Sequence, residues 1–368
     1  MAFRRIVLSS VVWLAGSRLL IALIGLVGVA TFVDQHTLAI GGPLALDLEA
    51  VWRKWDVLWY ERIAVHGYAW QVDDVKGQAV AGFFPLYPLT VRVVMRVLPT
   101  LSFFWAGVLL SNALTLTALT LAVRFLTTGV TEARRLLLVM TTAAGSFYLS
   151  IPYTESLFLV LIVSVMILTR RRYYLLAAVL CGLAAVTRVH GLALIAVPGV
   201  ACLIDQSIPP RRRFGRLAAM AAVSAIPFAF YMADLREVQG SAEAFIARQA
   251  LWDNQLPYPL KAIVGFFTAP RRLSGWLHGA FWFSYLALLI RYWRQMPLGE
   301  AIFCAGALLI STQQETFHGI YRYIAPLVPL ALGLSRDRDE VRGAVVAMNL
   351  VFGTIMILAF VINNRLAV

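Results

Sequence analysis

Apolar runs of bilayer-spanning length recur along this chain from Ile6 to Ile362, and a chain written that way has very few folds open to it. Hydrocarbon offers no water to satisfy backbone N–H and C=O groups, so only helices and closed barrels cross it. Barrel strands read as short segments alternating apolar and polar residues. The runs here are long and continuous, which predicts an all-α, polytopic transmembrane protein. Composition agrees: 60% of the 368 residues are hydrophobic and 14% charged, where ordinary soluble domains carry roughly 25% charge.

Span-length windows predict about eleven transmembrane helices. They fall near residues 6–32, 101–126, 136–150, 155–169, 173–187, 192–204, 217–233, 276–290, 298–312, 324–334 and 343–362. Several are short enough to be half-buried or broken. The first run follows Arg4 and Arg5, is too long for a cleaved signal and lacks a clear A-x-A site, so it is expected to remain as an anchor. Cys181, Cys202 and Cys304 each lie in an apolar segment, with no CxxC or Cys/His cluster, so neither a disulfide nor a zinc site is expected. The motif search also finds no P-loop, no dinucleotide-binding glycine pattern and no H-E-x-x-H.

The net charge of +13 would suggest nucleic acid in a soluble protein, but here the cations sit between the apolar runs, where they act as a topology signal, and no nucleic-acid partner is expected. Arginines cluster in every second short connection: Arg4/Arg5, Arg124/Arg134/Arg135, Arg170–Arg172, Arg211–Arg213 with Arg216, Arg291/Arg294 and Arg336/Arg338/Arg342. By the positive-inside rule these face the cytoplasm. The two long connections, residues 34–100 and 234–275, then lie outside, within a single membrane domain spanning 1–368. Both carry Trp, Tyr and Pro, which favours ordered interfacial structure, and the active surface is expected on that side.

The stretch WDVLWYERIAVHGY at 55–68, read as one helix with the residues before it, places Trp52, Trp55, Trp59 and Ile63 on one stripe, as in a helix lying on the outer leaflet. Asp56 falls on or beside that stripe. It either pairs with Arg53 or caps a turn, or it serves as a general base whose grip on a proton is strengthened by lost hydration beside the Trp rings. The segment FFPLYPL, 83–89, forms a second interfacial or re-entrant piece, with Pro85 and Pro88 either starting a helix or shaping a groove for a lipid chain. Three short outer turns, PYTES at 152–156, TRVHG at 187–191 and QETFHGIYRYIAP at 314–326, gather further polar residues. Ionisable groups near membrane segments are costly, so Glu155, Arg188, His190, Glu315, His318 and Arg322 are candidates for a site, with snorkelling to the headgroups as the alternative for each arginine. Arg188 and Arg322 suit a phosphate, and His318 suits orienting Asp56 or relaying a proton.

The order WD…Y…IA..GY, FFPLYPL, S..YTESLF, A..TR..G resembles the PIG-V-like mannosyltransferases, relatives of GPI mannosyltransferase II, clearly over residues 50–195 and loosely over 314–330. That resemblance implies a GT-C glycosyltransferase, with its site on the extracytoplasmic face and a polyprenyl-phosphate mannose donor. It carries the role of base over to Asp56 and implies inverting transfer to give an α-mannoside, with Arg188 and Arg322 on the leaving phosphate. Trp55, Tyr60, Arg62, His66, Glu155 and His190 are further expected substrate contacts, and His318 is expected to assist Asp56. With no Asp-x-Asp pair near the motif, neither metal nor other cofactor is expected. Short loops, many arginines and the lack of an N-x-[ST] sequon fit a bacterial cell membrane, with a glycolipid or cell-envelope glycan as acceptor. A polytopic transporter or lipid flippase is the rival reading; its polar groups belong near the bilayer midplane.

Overall fold

The computed structural model describes residues 2–32, 48–69, 77–249, 260–268, 273–313, 317 and 319–362. Glu315, His318, the tail 363–368 and parts of both long outer connections lie outside the described residues. In chain order the helices are α1 (Ala2–Phe32), α2 (Leu48–Trp52), α3 (Asp56–His66), α4 (Leu86–Val97), α5 (Phe103–Leu126), α6 (Val130–Thr141), α7 (Glu155–Arg170), α8 (Tyr174–Ala185) and α9 (Gly191–Leu194). There follow α10 (Ala196–Ile204), α11 (Pro210–Gln239), α12 (Ala244–Gln249), α13 (Lys261–Thr268), α14 (Leu273–Tyr292), α15 (Leu298–Ile310), α16 (Ile320–Ile324), α17 (Val328–Arg336) and α18 (Asp339–Val361). No strand occurs among the described residues.

Four helices are long and apolar enough to cross a membrane, α1 over Arg5–Thr31 and α5, α11 and α18 over their whole lengths; α8, the α9–α10 stretch and α15 are apolar but shorter. The chain is therefore all-helical, with the apolar helices that an integral multi-pass membrane protein requires. Helices α5, α7, α8 and α11 pack side by side in that order, α1 lies against α5 and α18, and α15 against α10. Gly182 shows why α8 and α11 approach so closely: a Cβ there would stand 2.5 Å from the Ser224 carbonyl oxygen, and small residues are what let helix backbones meet in a membrane.

The span expected over 136–150 is broken. Helix α6 stops at Thr141, and the chain from 142 to 154 is irregular apart from a 3₁₀ turn at Ser146–Leu149. Irregular backbone inside a membrane protein needs polar partners in place of water, and side chains of α1, α5 and α18 supply them. Arg18 donates through Nη1 to the Ser146 carbonyl at 3.2 Å, Asn112 to the Ser150 carbonyl at 3.0 Å, and Thr115 to the Leu149 carbonyl at 2.9 Å, while Asn349 accepts from the Ala144 N–H at 3.0 Å. Arg18 is held in turn by Asn112 Oδ1 at 3.0 Å. This bend carries Tyr148, Tyr153 and Thr154 to the start of α7.

Glu155 and Arg170, the first and last residues of α7, stand about 22 Å apart at 1.5 Å per residue, and charge is organised at both ends. Around Arg170, acids pair with arginines of the clusters assigned to the cytoplasm: Arg170 with Glu300 at 3.3 Å, Arg336 with Glu132 at 2.6 Å, Arg135 with Asp339 at 2.9 Å, and Arg291 with Asp337 through two bonds of 2.6 and 2.9 Å. Hydrogen bonding from Arg291 holds the Asp337 carboxyl well below its ordinary range. A carboxyl depressed in the folded state contributes stability above its unfolded pKa and loses it as the pH falls through the folded one. Thermal melting from pH 7 downward should therefore show an acid-side loss below the ordinary carboxylate range that is shallower in Asp337→Asn, which starts from a lower melting temperature at pH 7.

Candidate functional site

At the other end of α7 four charged residues from four distant parts of the chain meet. Arg322, on α16, donates through Nη2 to Asp56 Oδ2 at 2.7 Å and through Nε to Glu155 Oε1 at 2.8 Å. Arg188, just beyond α8, donates through Nη1 to the same Glu155 oxygen at 2.5 Å and to the Thr154 hydroxyl at 2.8 Å. Glu155 is fully buried and both guanidinium groups nearly so, while the Asp56 side chain keeps 15% of its surface exposed. Two cations balance two anions, and Asp56 is the member that solvent or a substrate reaches.

Aromatic rings wall the cluster. The Arg322 guanidinium lies 5.0 Å from the Tyr153 ring and 5.6 Å from that of Tyr148, and Arg188 lies 5.1 Å from the Tyr323 ring, each within cation–π range. Tyr60 meets Tyr153 edge-on at 6.1 Å, and burial, then the Asp56 charge, raises its hydroxyl above the ordinary range. His190 stacks on Tyr323 at 4.7 Å and is only 4% exposed, with no hydrogen-bond partner on either ring nitrogen among the described residues. Burial, followed by the charges of Arg188 and Arg322, pushes this imidazole well below its ordinary value, so it is neutral at pH 7. For Arg322 burial acts downward, but Asp56 and Glu155 outweigh it and hold the guanidinium above its ordinary range.

The continuous Trp stripe expected on an interfacial helix is not what forms. Helix α2 ends at Trp52, α3 begins at Asp56, and Trp55 between them sits at φ 57°, ψ −124°. A bulky residue at positive φ is a strained backbone conformation that its surroundings must enforce. The break scatters the stripe: Trp52 stacks on Phe360 at 5.7 Å, Trp59 on Phe83 at 5.8 Å, and Ile63 is fully buried. Large apolar residues that α3 leaves exposed are Leu58 and Val65. Asp56 pairs with Arg322 instead of Arg53, which is taken up by Glu61 at 2.6 Å. From α4, Arg92 caps the far end of α3, donating to the Ile63 carbonyl at 2.9 Å and to that of Ala64. Pro85 is the N-cap of α4 and Pro88 lies in its first turn, the helix-starting role of the two weighed above.

Asp56, Tyr60, Glu155, Arg188, His190 and Arg322 are thus brought together. Arg62 instead lies over the Trp59 ring at 4.7 Å, and His66 is exposed in the last turn of α3. Trp55 adjoins Asp56 in the chain and its buried indole N–H lacks a partner among the described residues. His318 lies outside the described residues, as does Glu315. Sequence reasoning missed Tyr148, Tyr153 and Tyr323, whose rings are indistinguishable from core aromatics until the arginines are placed. It also missed Arg18, although a cation in the middle of an apolar run is itself a signal. Among the described residues no group of three or more His, Cys, Asp or Glu could hold a metal ion.

Gly145 sets the distance between the irregular bend and α16. A Cβ on it would stand 2.2 Å from the Tyr321 carbonyl oxygen and 2.7 Å from the carbonyl carbon, both rigid backbone atoms. Gly145→Ala is therefore expected to cost about 1–3 kcal/mol through forced displacement and to shift α16 with Arg322, read as a lowered melting temperature of the purified protein in detergent.

No family model matches the chain, and no match to it is found among curated proteins or solved structures.

Proposed function

We propose that this chain is a GT-C-like mannosyltransferase with about eleven membrane spans, resembling the PIG-V-like enzymes. In this reading it transfers mannose from a polyprenyl-phosphate-mannose donor to a glycolipid or cell-envelope glycan at the extracytoplasmic face of a bacterial cell membrane. The observation that supports it most is the Asp56–Arg322–Glu155–Arg188 cluster: WD, YTES, TR..G and the 314–326 turn, far apart in sequence, each contribute one charged member. The arginine-rich connections gathered at the opposite end of α7 fit an extracytoplasmic placement of the cluster by the positive-inside rule.

In this mechanism Asp56 uses its oxygen not bonded to Arg322 to take the proton from an acceptor hydroxyl. The hydroxyl oxygen bonds to the anomeric carbon, the bond from that carbon to the phosphate oxygen breaks, and the phosphate leaves with the electron pair. Glu155, bonded to both arginines, fixes their direction. Each guanidinium carries five N–H groups, more than these carboxylates occupy, so a phosphate can share them, and cations beside the leaving group stabilise the transition state more than the ground state. A transporter or flippase reading leans on Arg18 in the middle of α1, whose Nε and Nη1 hold Asn112 and the Ser146 carbonyl while Nη2 is buried with no partner among the described residues. The test is transfer of radiolabelled mannose from polyprenyl-phosphate mannose into membrane lipids and glycans by the purified chain in proteoliposomes. Label in a lipid or glycan fraction supports the reading; no transfer from mannose, glucose or arabinose donors puts the transporter first.

A further inference from the structure

At the end of the molecule away from the charge cluster, α8 and α11 leave a groove of about 480 Å³ whose lining includes Arg172, Tyr173, Leu175, Leu176, Arg216 and Met220. Its character is split. One wall is apolar and open, with Tyr173 59%, Leu175 51% and Leu176 53% exposed. The rim is cationic: Arg172 and Arg216 line it, and the connections 170–173 and 205–216 hold seven arginines, of which Arg170 pairs with Glu300, and a single acid, Asp205.

That acid does not neutralise the rim. Asp205 already accepts from the Tyr174 hydroxyl at 2.8 Å and from the Ser207 N–H and hydroxyl at 3.0 and 2.6 Å, and lies 3.8 Å from Arg172. Arg172 also donates to Ser207 at 3.0 Å, which tethers its guanidinium beside the groove. Arg213 is spent on the Ile208 and Leu203 carbonyls at 2.7 and 3.1 Å. Arg216 is exposed and makes no ion pair among the described residues.

Charge complementarity asks for an anion, and the exposed leucines beside it ask for a hydrocarbon chain. A small soluble anion uses only the rim, and a neutral lipid only the wall. Helix α11 is the least buried of the four long apolar helices, with 11% of its most apolar stretch buried, and that contact is chiefly with α8. We propose that this groove binds an anionic phospholipid, its phosphate between Arg172 and Arg216 and an acyl chain along Leu175, Leu176 and Met220, joining α11 to α8. Basic recesses between membrane helices recognise phospholipid headgroups in this way. The site is remote from the charge cluster and stands whatever that cluster does.

The experiment uses the full chain in uncharged detergent, with native mass spectrometry and thermal melting in the presence of phosphatidylglycerol, phosphatidylcholine or inorganic phosphate. Phosphatidylglycerol alone should be retained and raise the melting temperature. Arg216→Gln, which removes a charge-assisted bond, should weaken that binding about tenfold. Ala219→Phe, which pushes a ring into the groove and keeps every charge, should cut retention sharply, while Arg211→Gln should leave it unchanged. All three positions are exposed, so melting without lipid serves as the folding control. Binding that ignores Ala219→Phe, or that falls equally with Arg211→Gln, would mean diffuse attraction and overturn the site. Equal stabilisation by inorganic phosphate or by phosphatidylcholine would overturn the lipid assignment.

Discussion

Arg322→Met is expected to be the most damaging single substitution, costing on the order of 3–5 kcal/mol, the usual result of removing one partner from a buried ion pair. Arg322 bridges Asp56 and Glu155 at 2.7 and 2.8 Å, so its loss strands Asp56 and leaves Glu155 with Arg188 alone. Arg322→Lys should recover only part of the loss, because one ammonium cannot reproduce the two directed bonds of a guanidinium fork. The coupling is the decisive part. Glu155→Gln alone also unbalances the cluster, but added to Arg322→Met it restores neutrality around Asp56 and Arg188, so the two losses should fall well short of adding. Melting temperatures of the two single variants and the double variant in one detergent measure this; strict additivity would show that Arg322 and Glu155 are not coupled.

On the proposed transferase reading, Asp56→Asn is expected to lower mannosyl transfer by about a hundred- to ten-thousand-fold, the range that a positioned general base contributes. Asparagine keeps the shape and still accepts a hydrogen bond from Arg322, but it cannot take a proton. On that reading the loss should fall on kcat with KM little changed, since the arginines proposed to bind the donor are kept. Glu155→Gln should behave differently, lowering stability and raising KM, because Glu155 is wholly buried and aims both guanidinium groups. Rates per folded molecule, normalised by size-exclusion profile, separate the two. Full activity in Asp56→Asn would place the base elsewhere while leaving the transferase reading intact.

The charged members of the cluster stand out in the sequence where their cost is visible. Glu155, Arg188 and Arg322 stand at the edges of apolar runs, where an uncompensated charge is expensive, so their mutual pairing is the cheapest arrangement open to them. Asp56 was legible for a different reason, being an acid among tryptophans, yet the partner considered for it, Arg53, was the wrong one. Nearness in sequence favoured Arg53, and only the fold shows that Glu61 takes it up.

What the sequence by itself determined is the helical, membrane-embedded character of the chain, because the backbone in hydrocarbon has almost no alternative, and the short roll of charged residues too costly to be left alone. Tertiary structure alone decided three things. One is the break at Trp55, where a positive φ turns Asp56 out of the expected Trp stripe. Another is the unwinding of 142–154, where an apolar run gives up its helix because Arg18, Asn112, Thr115 and Asn349 satisfy the freed backbone from three other helices. The last is the choice of partner for each charge. The physical reason is common to all three: hydropathy is a local sum along the chain, whereas strain, backbone satisfaction and ion pairing are settled by groups tens to hundreds of residues away.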